Sequence, residues 1–163
     1  MNERRPLFIS KPAGYEQGTE RYPVLYLLDG ETHFHHATGI ARFLAESGRI
    51  PALLVVGVAS TNRNRDLTPP SQAGNDLRFS PGGGGADAFL RFLSEELIPY
   101  VEANYRTRSY RILVGHSFGG LFAVYALTTR PRVFNAYIAI SPSLHWNNQG
   151  VCVPSREILR EDR

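Results

Sequence analysis

Four short apolar runs without polar alternation constrain the fold of this chain more than any other feature. Their cores lie at Val24–Leu28, Leu53–Val58, Arg111–Val114 and Ala136–Ile140. Strands that are covered on both faces have this pattern, as in a parallel sheet, whereas strands with one wet face alternate between apolar and polar residues. The runs therefore predict the buried strands of a mostly parallel sheet.

Helical patterns separate these runs. Thr38–Ser47 and Gly119–Thr129 are short helix candidates, and Ala86–Glu102 places its apolar residues three and four positions apart. Pro99 lies inside the longest pattern and should kink it or end its regular part. The stretch RPLFIS near the start reads as a further, edge strand. Strands that alternate with helices predict an α/β fold with a doubly wound, mostly parallel sheet.

Composition is ordinary for a globular protein, and it argues against several classes of function. The 163 residues suit one domain, with 42% hydrophobic and 20% charged residues. The net charge of +3 comes from scattered arginines, with Lys11 the only lysine, so we expect no nucleic-acid partner. Cys152 is the only cysteine, which excludes an internal disulfide. Because no apolar run approaches the roughly 18 residues of a membrane helix and no secretory signal is recognisable, we expect a cytoplasmic protein without a membrane partner.

The sequence Gly115-His116-Ser117-Phe118-Gly119 fits the pattern G-x-S-x-G between a predicted strand and a predicted helix. In that setting the pattern forms a nucleophile elbow, a sharp turn that presents the serine hydroxyl at the carboxyl edge of the sheet. The helix that follows supplies amide groups and a favourable dipole for an oxyanion. We therefore predict Ser117 as a catalytic nucleophile and the backbone N–H of Phe118 as an oxyanion-hole donor. The alternative is a glycine-rich turn that holds a structural serine.

Six stretches of the chain carry a resemblance to a known family. They are YPVLYLLDGETHFHHATG, RIPALLVVGV, RDLTPP, ELIPYVEANYRT, VGHSFGGLFA and ISPSLHW, and they cover most of the chain. Together they resemble the esterases of the α/β-hydrolase superfamily that include enterochelin esterase, esterase D and feruloyl esterase-like enzymes. The resemblance implies an α/β-hydrolase-like domain that acts on a small-molecule carboxylic ester and needs no cofactor. It also implies that the N–H of Glu31, after the strand that ends LLDG, is the second oxyanion-hole donor.

The acid and the base that such a serine needs are not evident in the chain. The order in these hydrolases is nucleophile, acid, histidine. After Ser117, the acidic residues are Glu157, Glu161 and Asp162, all in the terminal segment, and the only histidine is His145. The resemblance therefore implies that the last strands of the fold, which would carry the acid and the base, are missing.

Other side chains at the predicted carboxyl edge are candidates for the substrate cleft. Trp146 and His145 follow the last strand, and His145 is either a base or a cleft-lining residue. His33 lies in the cluster THFHH, which suits polar packing better than a metal, because no carboxylate or cysteine accompanies it at a ligand spacing. Asp66 lies in the unpatterned loop Thr61–Gly85, where it either contacts substrate or orders the loop through salt bridges. We expect no metal.

These observations leave two interpretations of the chain. The first is a serine hydrolase that forms an acyl-enzyme on Ser117, in a single but incomplete domain over residues 1–163. The alternative is a truncated or degenerate relative that is catalytically impaired, or an interaction module. We expect residues 147–163 to be a tail that is either non-native or disordered. A sheet that ends at Ala136–Ile140 would expose an apolar edge, so we also expect self-association.

Overall fold

A mostly parallel sheet forms the centre of the structure, a computed structural model that describes residues 3–151. Within those residues the sheet has five strands, in the order β1-β3-β2-β4-β5. β1 pairs antiparallel to β3, and the other neighbours are parallel. The bounds are β1 Leu7–Ser10, β2 Tyr22–Leu28, β3 Leu54–Val58, β4 Thr107–His116 and β5 Ala136–Ile140. Each predicted run is a strand, and RPLFIS contains the antiparallel edge strand, so the predicted α/β fold class is confirmed.

Six α-helices connect the strands in the described part of the chain. They are α1 Gly30–Glu46, α2 Arg63–Leu67, α3 Gly74–Phe79, α4 Ala86–Arg91, α5 Ile98–Asn104 and α6 Phe118–Thr129. A π-helical segment, Phe92–Leu97, joins α4 to α5, and a 3-10 turn, Trp146–Gln149, follows β5. The break predicted at Pro99 therefore takes the form of widened helical turns just before the proline, a known way for a helix to absorb an irregularity.

Two parts of the helix prediction were wrong. α1 begins at Gly30 rather than at Thr38, because its start is set by backbone geometry. Asp29 has a left-handed conformation and no side-chain cap bond, and its carbonyl accepts hydrogen bonds from the N–H groups of Thr32 and His33. The predicted loop Thr61–Gly85 contains α2 and α3, whose five and six residues are too short to show a helical period.

Helices lie on both faces of the sheet, which confirms the doubly wound arrangement. On one face, alternate residues of β2 pack against α4 and α6 in the main core, where Tyr26, Phe89 and Phe122 are at most 2% exposed. On the other face, α1 contacts β1, β2 and β3. That helix leaves the β4 and β5 side of its face open.

The end of the described chain is tied to the loop that follows β3. In the 3-10 turn, the Asn147 N–H donates to the Asp76 carboxylate at 2.6 Å. The predicted tail, 147–163, lies mostly outside the described residues. Within residues 3–151, no helix combines the length and the apolar character needed to cross a membrane.

Candidate active site

Ser117 forms a sharp turn between β4 and α6, at the carboxyl edge of the sheet. Its φ of 57° and ψ of −115° are a conformation that residues other than glycine rarely adopt. The Ser117 N–H donates to the Ile140 carbonyl at 3.0 Å, and the Ser117 carbonyl accepts from the N–H groups of Leu121 at 2.9 Å and Ser143 at 3.2 Å. The end of β5 and the loop after it therefore hold the turn in a strained conformation.

Glycines around the turn allow the strand and the helix to approach closely. A Cβ built on Gly115 would lie 2.2 Å from the Gly119 carbonyl oxygen. One built on Gly120 would lie 3.0 Å from the Ile140 carbonyl oxygen. The first distance is far shorter than a van der Waals contact, and the opposing atom belongs to the backbone. Glycine at position 115 is therefore a steric requirement of this turn.

The Ser117 hydroxyl is partly buried and has a second hydroxyl beside it. The Ser117 Oγ lies 3.3 Å from the Ser143 Oγ, and either atom can donate the hydrogen bond. Ser143 can therefore orient the Ser117 oxygen. A neutral hydroxyl does not replace the general base that activates a serine nucleophile.

Asp29 forms a second turn with positive φ, at the end of β2. The φ of Asp29 is 52°, and only 3% of the residue is exposed. The next residue must be small, because a Cβ built on Gly30 would lie 2.7 Å from the carbonyl carbon of Gly57 on β3. Glu31 is thus the second residue of α1, and its carboxylate accepts from the Ser60 N–H at 3.2 and 3.3 Å.

The first turns of α1 and α6 border the same edge of the sheet, because β2 and β4 are adjacent and parallel. The first amide groups of a helix have no acceptor within that helix, and the helix dipole favours negative charge near them. Phe118 is the first residue of α6, and Glu31 is the second residue of α1. The two predicted oxyanion-hole donors therefore lie on neighbouring helix N-termini.

Histidine rings cluster beside this edge. The His33 ring contacts the rings of His36 and His116 edge to face, with centroid distances of 5.2 and 5.6 Å. Burial lowers the pKa of His33, and the negative charge of Asp29 opposes that shift. His33 is therefore mostly neutral near pH 7. Among residues 3–151, no group of three or more His, Cys, Asp or Glu side chains is arranged to hold a metal ion.

The two candidates after β5 have different surroundings. Trp146 is 3% exposed, and its Nε1 donates to the Pro69 carbonyl at 2.9 Å. Its ring contacts the Phe118 ring edge to face at 5.5 Å, so Trp146 packs against the residue that follows Ser117. His145 is exposed beside it.

Asp66 is fully buried within an ionic network that joins the start of the chain to α2. Arg5 Nη2 donates to its Oδ2 at 2.7 Å, and Arg65 Nε donates to its Oδ1 at 2.8 Å. Arg65 also binds Glu3 through both terminal nitrogens, at 2.6 and 2.8 Å. Hydrogen bonds from Arg65 and Thr61 lower the pKa of Glu3 to about 2. These contacts match the loop-ordering alternative for Asp66.

An apolar groove of about 590 Å³ lies between α1 and the open part of the sheet. Its floor comes from β2, β4 and β5, and its wall from α1; the apolar side chains include Leu25, Leu27, Ile40, Leu44, Ile112, Val114, Ile138 and Ile140. His33, His36 and His116 also line it, at the end near Ser117. Ile138 and Ile140 are 46% and 47% exposed, so β5 contributes apolar surface to solvent.

Two residues that contact the turns at Asp29 and Ser117 were not predicted from the sequence, Arg63 and Ser143. Ser143 lies three residues after the end of the last predicted strand, in ISPS, and that placement at the carboxyl edge is a signal that could have identified it. Arg63 binds Asp29 from a position 34 residues away, in a loop without a pattern. Arg63 and Asp29 come together only in the folded structure.

Comparison with known proteins agrees with this geometry. The family model described as "Putative esterase" matches residues 1–155. Ferri-bacillibactin esterase BesA of Bacillus subtilis is 39% identical over 165 residues, which cover 90% of this chain and 56% of that protein. Siderophore enterobactin esterase of Emericella nidulans is 37% identical over 155 residues, which cover 83% of this chain and 50% of that protein.

A solved structure shows the same fold. An IroE-like serine hydrolase from Shewanella oneidensis has a TM-score of 0.86 and 38% identity, over 96% of this chain and 52% of that one. The chain thus spans about half the length of the relatives that it matches. With a family model over most of its length and a sheet like that of an IroE-like serine hydrolase, this chain belongs to the esterase family that the model describes.

Proposed function

We propose that the chain hydrolyses carboxylic esters through an acyl-enzyme on Ser117. The Ser117 Oγ attacks the carbonyl carbon of the ester and gives its proton to a base. The alcohol then leaves with a proton, and the acyl group stays on Oγ until water releases it as a carboxylic acid. The N–H groups of Phe118 and Glu31 stabilise the oxyanion in both steps.

The observation that carries this proposal is the backbone conformation of Ser117. A residue other than glycine in a disfavoured region costs about 1–3 kcal/mol and persists only where its surroundings enforce it. Here the backbone hydrogen bonds to Ile140, Leu121 and Ser143 enforce it. Glycine would fit the same turn without strain, so a serine at this position supports a role for its hydroxyl.

A serine nucleophile needs a general base that takes the proton from its hydroxyl. In residues 3–151, the hydrogen-bond partner of the Ser117 Oγ is Ser143, and His145 is exposed two residues further on. Serine proteases that lack a triad member keep about 10³–10⁴-fold catalysis over water, from the oxyanion hole and binding alone. We therefore expect slow acylation by these residues alone. The alternative has two forms: an impaired fragment predicts acylation at Ser117 without appreciable turnover, and an interaction module predicts no acylation there.

The names of the relatives suggest a substrate class. BesA is named as a ferri-bacillibactin esterase, and the Emericella protein as a siderophore enterobactin esterase. We propose siderophore esters as the substrates of this site. A competition experiment tests this choice: a siderophore ester should slow acylation by p-nitrophenyl acetate more strongly than a simple alkyl ester of equal concentration.

A p-nitrophenyl ester burst assay tests the function itself. The wild-type chain should release p-nitrophenolate in a burst that approaches one equivalent per chain, followed by slow turnover. Ser117→Ala should abolish the burst, because no acyl-enzyme can form. Ser47→Ala is a matched control, since the Ser47 hydroxyl is exposed at the far end of α1 and donates to the Phe43 carbonyl. A burst that survives in Ser117→Ala would reject the proposal, and mass spectrometry of the acylated chain identifies the residue.

We also propose that β5 pairs with β5 of a second copy of this chain. Among the described strands, β5 has β4 as its one neighbour, and its Ile138 and Ile140 are about half exposed. An unpaired edge beside apolar surface favours pairing with another chain, and identical edges can pair about a two-fold axis. The cytoplasmic location and the absence of nucleic-acid and membrane partners stay predictions from the sequence.

A further inference from the structure

Phe79, the last residue of α3, carries the most exposed large apolar side chain among the described residues. The residue is 77% exposed, compared with 65% for Phe43 and 57% for Ile40. Its ring nevertheless contacts the Phe118 ring edge to face, with a centroid distance of 6.5 Å and an angle of 84° between the ring planes. Phe118 directly follows Ser117, so Phe79 lies at the carboxyl edge of the sheet, close to the proposed nucleophile.

A buried carboxylate in the first turn of α3 fixes the position of this helix. Asp76 is 7% exposed, and its Oδ2 accepts from the Ser71 Oγ at 2.6 Å and from the Asn147 N–H at 2.6 Å. The Ser80 N–H donates to the Asp76 carbonyl at 2.8 Å and closes the helix. Hydrogen bonds to an ionised acceptor are roughly twice as strong as those between neutral groups. Phe79 is therefore exposed on an anchored helix.

The Phe118 ring that Phe79 contacts is also held in place. Phe118 is 6% exposed, and Trp146 contacts its ring edge to face at 5.5 Å. In the loop after α3, a Cβ built on Gly83 would lie 2.6 Å from the Thr68 Oγ1 and 3.4 Å from the Trp146 Cη2. That loop therefore packs closely against the same tryptophan. The exposed ring of Phe79 thus contacts a buried aromatic base rather than other exposed side chains.

A mostly exposed aromatic ring near a reaction centre suits an aromatic ligand group. Ligand sites are lined largely by apolar and aromatic side chains. Two aromatic rings pair edge to face or in an offset stack with centroids about 4.5–7 Å apart, and the pair is worth about 2- to 12-fold in affinity beyond the apolar area that it buries. Because α3 is anchored, little further ordering of Phe79 is needed when a ligand binds.

We propose that Phe79 is a specificity-determining residue that binds an aromatic ring of the ester substrate. The substrate ring packs against the exposed part of the Phe79 ring while the ester carbonyl lies at Ser117. This inference rests on the proposed function, because it assigns Phe79 to the same site. Phe79 selects among esters and takes no part in the bond changes.

A competing explanation is that Phe79 is covered by protein, such as a second copy of this chain. Single exposed apolar residues are also common on protein surfaces and need no ligand. Phe43 offers a comparison, because it is 65% exposed and lies near the end of α1, whose first turn borders the Ser117 edge. If exposure alone attracted an aromatic ligand, Phe43 would bind one as well.

Benzamide is the probe for the proposed contact, and cyclohexanecarboxamide is a control of similar size without an aromatic ring. Binding is measured in a Ser117→Ala chain, which cannot form an acyl-enzyme, from the backbone ¹H–¹⁵N signal of Phe118 during titration. Phe79→Leu, added to that chain, removes the aromatic ring and keeps an apolar side chain, whereas Phe79→Trp keeps an aromatic face. Phe43→Leu is the matched control. In chains that retain Ser117, the second readout is the benzamide concentration that halves acylation by p-nitrophenyl acetate.

We expect Phe79→Leu to weaken benzamide binding by about 3- to 10-fold and cyclohexanecarboxamide binding by less than about 2-fold. Phe79→Trp should retain the affinity for benzamide within about 2-fold, and Phe43→Leu should leave it unchanged. The benzamide concentration that halves acylation should rise in Phe79→Leu by the same factor as the dissociation constant.

The two readouts separate this inference from the proposed function. If the wild type shows no Ser117-dependent burst, the esterase proposal fails, and the titrations still decide whether Phe79 binds the ring. Equal benzamide affinity with and without Phe79→Leu would overturn the inference, and so would an unmoved Phe118 signal up to the solubility limit of benzamide. A smaller particle for Phe79→Leu in light scattering would also overturn it, because Phe79 would then belong to an interface between copies.

Discussion

Replacing Gly115 with alanine should damage the Ser117 turn more than any other single methyl group added nearby. The new Cβ would lie 2.2 Å from the Gly119 carbonyl oxygen and 2.3 Å from the Gly119 carbonyl carbon. Both atoms belong to the backbone of α6, so no side chain can rotate away. The strand and the helix must move apart instead, and α6 packs against both β4 and β5.

Overpacking a well-filled site costs about 1–3 kcal/mol and occasionally more. Because the opposing atoms are backbone, we expect about 3 kcal/mol for Gly115→Ala. In a domain of this size, that corresponds to a fall in Tm of roughly 6–12 °C. The separation of β4 from α6 should also displace the Phe118 amide, so acylation at Ser117 should fall by at least about 100-fold.

The matched control is Gly39→Ala, which adds the same methyl group to the middle of α1. No heavy atom outside the helix backbone lies within 4 Å of a Cβ built at Gly39. Alanine in a helix interior is favoured over glycine by roughly 0.5–1 kcal/mol, so Gly39→Ala should raise the Tm by about 1–4 °C. The test is thermal unfolding followed by circular dichroism, with burst kinetics on both variants. A Gly115→Ala chain that unfolds within about 1 °C of the wild type would refute the steric reasoning.

Three further predictions concern other parts of the molecule. Ile140→Lys places a charge on β5, beside the edge that has no neighbour among the described strands; if copies pair there, light scattering should show a smaller particle than for the wild type, and equal sizes would count against pairing at β5. Arg65 holds the pKa of Glu3 at about 2, below its ordinary 4.5, so the bond stabilises the fold above about pH 4.5 and is lost as the pH falls towards 2. Glu3→Gln should therefore lower the Tm at pH 7 and have a shrinking effect between pH 4.5 and 2; a Tm difference that does not shrink would contradict the assignment. Ser117→Gly relieves a strained φ of 57°, so it should raise the Tm by about 2–4 °C, for roughly 1 kcal/mol, while abolishing the burst; a lower Tm would argue against strain at Ser117.

The sequence pattern was clearest for β3, which is buried on both faces. Continuous apolar residues at Leu54–Val58 are buried throughout, so their pattern and their environment agree. The length of β4 was harder to predict. Its first residues, Thr107–Arg111, are mostly exposed or half-buried and therefore lack an apolar run.

The start of α1 and the contacts of Arg63 could not be predicted in this way. α1 begins through a left-handed Asp29 rather than through a side-chain cap, so the usual capping signal for a helix start is absent. Arg63 and Asp29 are joined by tertiary structure across 34 residues. The position of the sharp turn at Ser117, in contrast, could be predicted, because the close approach of β4 and α6 demands glycine at Gly115.

The strain at Ser117 links the proposed chemistry to β5, an edge strand of the sheet. The Ser117 N–H is held by Ile140, the last residue of β5, and the Ser117 carbonyl is held in part by Ser143, which lies just beyond it. β5 pairs with β4 alone among the described strands, so its ladder is supported from one side. A strained turn relaxes when its surroundings loosen. A partner on the edge of β5 that lacks a neighbour among the described strands should therefore stabilise the Ser117 turn as well, and the acylation rate should rise with the occupancy of that edge.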